Sequence, residues 1–185
     1  MLAYVFWHWP QPGVDSAVYI AALRAFHESL AAGKPQGFVH SCVYRVSGAP
    51  WLPSEAYEDW YVLDDSSALD RINDAAVTGK RKDPHDRAAR LAAGGTAGLY
   101  SFRHGHGDLP ASRVAAWFSK PAGTSYEEFY ARLVFWTSRA KHSLWGRQML
   151  LGPTPEFCLL APERPELPDA FGGVMIDLIR IWPGS

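Results

Sequence analysis

A chain of 185 residues that is 48% hydrophobic and 20% charged carries enough apolar material for a sizeable core, which excludes disorder as its main state. Its formal charge of −1, with Lys and Arg scattered along the chain, excludes binding led by phosphate contacts, and no nucleic-acid motif stands out. No run approaches the ~20 apolar residues of a membrane span, and the apolar start at residues 2–9 is too short and lacks a signal peptide's basic flank, so a cytoplasmic location is expected.

Residues 2–9 read as a short strand, and a Pro/Gly turn follows. Asp15 then offers a side-chain oxygen to the first unpaired N–H groups of a helix. Tyr19, Leu23, Phe26 and Leu30 share one face of that helix. Strands are expected at 38–46 and 57–63 with a Gly/Pro-rich loop between them, then helices at 67–77 and 84–93 and a strand at 98–104. Residues 105–112 (GHGDLPAS) read as a connection. Residues 4–26 then lie without a gap on residues 114–136: Trp7 falls on Trp117, Gly13 on Gly123, Ala21 on Ala131 and Leu23 on Leu133, and the two helix caps, Asp15 and Ser125, coincide. The second copy continues with strands at 145–151 and 156–160 joined by a tight 152–155 turn. A helical stub at 164–171, shortened by prolines, and a closing strand at 175–182 complete it.

The order β-α-β-β-α-β, twice over, predicts an α+β fold of two tandem ferredoxin-like repeats with antiparallel sheets, packed together as an intramolecular α+β barrel. The expected organisation is a first repeat at 1–106, a linker at 107–112 and a second repeat at 113–185. Cys42 and Cys158 fall in strand-like runs and read as buried thiols rather than a disulfide.

Residues 123–136, Gly-Thr-Ser-Tyr-Glu-Glu-Phe-Tyr-Ala-Arg-Leu-Val-Phe-Trp, resemble the opening Gly-x-Thr/Ser-x-Glu-Glu-Phe helix of EthD-like proteins. The first helix looks like the same element, with aromatic Tyr19 and, eight positions on, His27. Two features depart from the family pattern: the tryptophan expected midway is Leu23 or Leu133, and the histidine's counterpart in the second copy is Thr137. The resemblance implies membership of the dimeric α+β barrel superfamily, whose members include small monooxygenases, isomerases, decarboxylases and haem-binding proteins.

No P-loop, HExxH, CxxC or nucleophile elbow is present. His104 and His106 could supply two metal ligands, but no third ligand is near in sequence, so no metal site is expected. Strand alternation groups Tyr4 with His8, His40 with Cys42 and Tyr44, Asp59 with Tyr61, and Tyr100 with His104. If these sides face the barrel interior, they form a cavity rich in His and Tyr. The expected catalytic set is His40 as general base, Asp59 to fix its tautomer and Tyr61 to hold a substrate oxygen; His8, Tyr44, Tyr100 and His27 are candidate ligand-binding residues. Because His8 aligns with Phe118 and His27 with Thr137, the first copy should carry more of this chemistry than the second.

The expected activity is that of a small-molecule-binding barrel acting without a cofactor, as a monooxygenase, isomerase or decarboxylase, on an aromatic or polyketide-like compound. The alternative is a non-catalytic ligand-binding or assembly scaffold. A haem-binding version is a further alternative, which a Soret band would reveal. The partner expected is a small apolar or aromatic ligand, with a homodimer compatible with the architecture.

Overall fold

The computed structural model describes residues 1–106, 109–148 and 152–184. Parts of the expected 107–112 linker and of the expected 145–151 strand therefore lie outside the described residues. The chain forms β1 (Leu2–Pro10), α1 (Ser16–Ala32), β2 (Phe38–Val46), β3 (Ala56–Leu63), α2 (Ala68–Ala76), α3 (Lys82–Leu91) and β4 (Ala92–Gly105). It continues with β5 (Val114–Phe118), α4 (Tyr126–Thr137), β6 (Ser143–Arg147), β7 (Phe157–Ala161), β8 (Val174–Asp177) and β9 (Ile179–Trp182).

Local chemistry accounts for where the helices begin. Asp15 accepts hydrogen bonds from the Ala17 and Val18 N–H groups at the start of α1. Ser125 and Glu128 form a reciprocal capping box at the start of α4. The helix expected near 164–171 is reduced to a 3-10 turn, Asp169–Phe171. Pro162, Pro165 and Pro168 withdraw three backbone donors from that stretch, which a longer helix could not tolerate.

The strands form one antiparallel sheet in the order β8-β5-β7-β6-β4-β1-β3-β2-β9. Its first four strands in chain order are arranged β4-β1-β3-β2 and its next four β8-β5-β7-β6. Each run is thus fourth-first-third-second, the ferredoxin-like order, and the pairing of β4 with β6 joins the two. At the far ends β8 pairs with β5 and β9 with β2, and only Leu178 separates β8 from β9. One segment of chain therefore spans both ends of the order and brings the sheet close to a closed barrel.

The barrel interior is full. Trp7, Trp60, Trp117 and Trp145 are all fully buried there together with Tyr44 and Tyr100. Trp7 and Trp117, the pair matched when residues 4–26 are laid on 114–136, pack edge to face with ring centroids 5.6 Å apart. Cys42 and Cys158 lie in the same core and form no disulfide. The helices cover the opposite face of the sheet, and β3, in the middle of the first run, is buried on both sides.

Candidate active site

Sheet register decides which side chains meet. Along β1 and β3, Tyr4 stands opposite Tyr61, Phe6 opposite Asp59 and His8 opposite Tyr57. On β2, Ser41 stands opposite Tyr61 and Val43 opposite Asp59. These residues share the face covered by the helices. From above, α1 contributes Tyr19 and His27, eight residues apart and so about two turns along one helix face. Tyr44, Tyr100 and Cys42 lie instead among the core residues of the barrel interior.

Two sequence expectations are corrected here. The polar residues do not all line the barrel: Tyr4, His8, Asp59 and Tyr61 face the helices, while Tyr44 and Tyr100 face inward. Inside, the Tyr44 hydroxyl donates to the Leu109 carbonyl, and the Tyr100 hydroxyl meets Thr154 Oγ1. The expected His40–Asp59 couple also does not form. His40 stands opposite Val62 and alternates with Cys42 and Tyr44, which puts it on the barrel side. From His40 onward the pairing of β2 with β3 is continuous, so the match of Val43 with Asp59 leaves His40 three positions away, an odd offset that sends the two groups to opposite faces. His104 lies at the end of β4, and His106 follows directly.

The carboxylate is met by other histidines. His27 Nε2 lies 3.1 Å from Asp59 Oδ2, and its Nδ1 lies 2.8 Å from Ser41 Oγ. The Tyr61 hydroxyl donates to Asp59 Oδ2 at 2.9 Å. On the other side, His8 Nδ1 lies 2.6 Å from the Tyr19 hydroxyl, and His8 Nε2 lies 3.1 Å from Asp59 Oδ1. That last contact is at ion-pair distance but is not aligned for a hydrogen bond. His8, His27 and Asp59 are each at most 2% exposed.

Burial alone would push the Asp59 carboxyl up, but the charges of His8 and His27 and the hydrogen bond with His27 outweigh it and hold the group below the usual carboxylate range. Burial, reinforced by the Asp59 charge, raises the Tyr4, Tyr19 and Tyr61 phenols above their ordinary value. At neutral pH the site therefore presents one carboxylate and phenols that remain hydrogen-bond donors, with the rings of His8 and His27 beside them.

This cluster forms part of the wall of a cavity of about 480 Å³ between the sheet and α1, α2 and α3. His8, Asp59, Tyr4 and Tyr61 give it a polar floor, and Phe6, Leu23, Phe26, Leu69 and Ile72 supply an apolar middle. That volume and mixture suit a small ligand. Gly95 makes room for the floor, because a Cβ there would come within 2.5 Å of the Phe6 ring. Every residue lining the cavity precedes residue 93. His27 offers no axial ligand for a haem, because both its ring nitrogens are engaged.

Sequence reasoning singled out His8, His27, Asp59 and Tyr61 but not Tyr19, Ser41 or Glu58. Glu58 points into the barrel, where its carboxylate accepts from the Trp7 indole at 2.7 Å and the Trp60 indole at 2.5 Å. Burial pushes its pKa up to about 7, against the lowering pull of the two indole hydrogen bonds. The signal was a pair of adjacent acids, Glu58 and Asp59, in an otherwise apolar strand.

No family model and no curated protein matches the chain. Solved structures do share its fold. One is a provisionally named monooxygenase from Fusobacterium nucleatum subsp. nucleatum, with 10% identity and a TM-score of 0.63 over 97% of this chain and 92% of that one. Another is an anthrone oxidase-like protein, with 10% identity and a TM-score of 0.55 over 96% and 91%. A third is a provisionally named monooxygenase from Lactobacillus acidophilus, with 13% identity and a TM-score of 0.53 over 97% and 94%. At these identities the likeness is one of fold.

Proposed function

We propose that this protein is a cofactor-independent enzyme of the monooxygenase type that removes a proton from an aromatic or polyketide-like substrate held in the sheet–helix cavity. The observation that carries the reading is the pair His8 Nε2 and Asp59 Oδ1: buried, 3.1 Å apart, unaligned with each other and carried by two residues that line the cavity. Buried polar atoms without an aligned internal partner are costly, and a substrate hydroxyl or an acidic C–H edge would engage them. The EthD-like character of the α1 helix belongs to the same proposal, since its histidine, His27, is the group that braces Asp59.

The tautomer in which His8 Nδ1–H donates to the Tyr19 oxygen leaves Nε2 as a base facing the substrate. A proton leaving the substrate forms a bond to Nε2, and Asp59 stabilises the imidazolium. His27 and Tyr61 act as positioning residues that hold the carboxylate. The Tyr4 phenol is a donor on the same wall, suited to the substrate oxygen that gains charge. The resulting carbanion reduces dioxygen: a new C–O bond forms, giving a peroxide anion that takes back the proton held by His8 and becomes a hydroperoxide. At a methylene carbon the O–O bond then breaks with loss of the remaining C–H proton, leaving a carbonyl and releasing water. The balance is one dioxygen consumed per CH2 converted to C=O.

The test is oxygen uptake and quinone absorbance with an anthrone as probe, in wild type, His8→Ala and Asp59→Asn. Loss of a general base should lower the rate by ~10²–10⁴-fold, with the circular dichroism spectrum retained. A folded His8→Ala protein as fast as wild type would refute the assignment.

A further inference from the structure

The charges around the cavity restrict what it can admit. This deepens the proposed reaction by defining its substrate, and it rests on the cavity reading above. Among the lining residues are two carboxylates, Asp59 at the floor and Asp70 on α2, and no Lys or Arg. Three cations near the cavity, Arg71, Arg81 and Lys82, are tied elsewhere. Arg71 reaches the Gln36 carbonyl and Ser67, Arg81 the Ala75 and Gly33 carbonyls, and Lys82 the Asp86 carboxylate. His85, the lining imidazole on α3, has Nδ1 3.2 Å from Asp86 Oδ1. At the floor, Asp59 is buried and stays ionised, so solvent and salt screen it little.

We infer that the cavity selects an uncharged ring system bearing hydroxyl donors and rejects carboxylated or phosphorylated analogues, with Asp70 as a specificity-determining residue at the α2 wall. The reaction is compatible with this selection. A phenolate or enolate forms beside Asp59 only as its proton arrives on His8, so the net charge of the floor and substrate together does not change. A ligand that enters already anionic brings no such proton. Its carboxylate would face Asp59 at one end or Asp70 at the other. Hydroxyl groups, in contrast, donate to Asp59 Oδ1 at the floor and to Asp70 or the Asn73 amide oxygen on α2. A substrate for decarboxylation, which must enter with its carboxylate, falls on the rejected side.

Isothermal titration with two stable probes separates this inference from the question of turnover. The probes are 1,8-dihydroxyanthraquinone and its 3-carboxylic acid, titrated at pH 7.5 and low ionic strength into wild type and Asp70→Asn. The expected result is at least tenfold weaker binding of the acid by wild type and a gap reduced to about threefold or less in Asp70→Asn. Equal or tighter binding of the acid overturns the inference while leaving the proposed reaction standing. An unchanged gap in Asp70→Asn overturns the role of that residue, and failure of both probes to bind overturns the inference. Selective binding without oxygen uptake sustains the inference and refutes the proposed reaction.

Discussion

Replacing Glu58 by Gln should flatten the dependence of stability on pH across the interval in which the native and unfolded chains bind different numbers of protons. In the unfolded chain the carboxyl titrates near 4.5, and in the barrel it titrates near 7. Below the lower value both states hold the proton and the linkage contributes nothing. Between the two values the unfolded chain releases the proton while the native state keeps it, so stability falls as pH rises. Above 7 both are ionised and the penalty is constant. A difference of 2.5 units at about 1.36 kcal/mol per unit gives a total near 3 kcal/mol, of which ~2–3 kcal/mol lies between pH 5 and 8. Gln cannot titrate, but its amide nitrogen must face one of the two indole N–H groups, at a cost of about 1 kcal/mol at every pH. The variant should therefore be less stable than wild type near pH 4.5 and more stable at pH 8. Urea unfolding followed by far-UV circular dichroism at several pH values measures both curves, and their difference cancels the titrations they share. Parallel curves for the two proteins between pH 5 and 8 would show that the barrel carboxyl does not titrate as argued.

Asp59 should behave in the opposite sense: its native pKa lies below the unfolded value of 3.8, so the stability it adds is present above that value and lost as pH falls through the native one. Urea titrations should find Asp59→Asn destabilised at pH 7, with its deficit against wild type narrowing steadily below pH 4. In the second run of strands, Phe129→Ala should cost ~3–5 kcal/mol, because this fully buried ring packs on Phe118, Phe157 and Phe171. Phe135→Ala, at a ring 63% exposed beneath Arg139, should cost less than ~1 kcal/mol in the same assay.

Element order was legible because it depends on local signals. Asp15 and Ser125 mark the two helix starts by their side-chain chemistry, and the prolines at 162, 165 and 168 foretell the missing helix. Which face a strand turns to which layer is not local. His40 and Asp59 belong to neighbouring strands, as expected, but the Val43–Asp59 pairing leaves an odd offset of three residues that places them on opposite faces. A strand buried on both sides gives no alternation to reveal this, since all eight residues of β3 are buried. His27 was visible as a histidine eight positions after Tyr19. Its weight was not, because the cavity lies under the helices, on the face opposite the barrel, and a helix residue facing the sheet is then part of the floor's chemistry.

The two runs of strands show how one fold accommodates this burial of charge. Phe118 stands opposite Phe157 in the second run as His8 stands opposite Tyr57 in the first, and Ala116 faces Leu159 as Phe6 faces Asp59. The helix position of His27 is taken by Thr137, whose hydroxyl turns back to its own helix at the Leu133 carbonyl. Where the first run holds a carboxylate and two imidazoles beside a cavity, the second run holds phenyl rings in mutual contact, including Phe118, Phe157 and Phe171. Desolvating ionisable groups opposes folding unless each is paired, while packing rings favours it. Because β4 pairs with β6 and the β8–β9 segment bridges both runs, the two share one sheet. The apolar second run can thus stabilise a first run whose helix-facing side buries a carboxylate and two histidines. On this argument, introducing the polar set at Phe118, Leu159 and Thr137 would not produce a second site. It would add desolvation costs to a face whose packed rings favour folding, beside a smaller cavity of about 330 Å³ lined by Tyr130, Leu133 and Thr137.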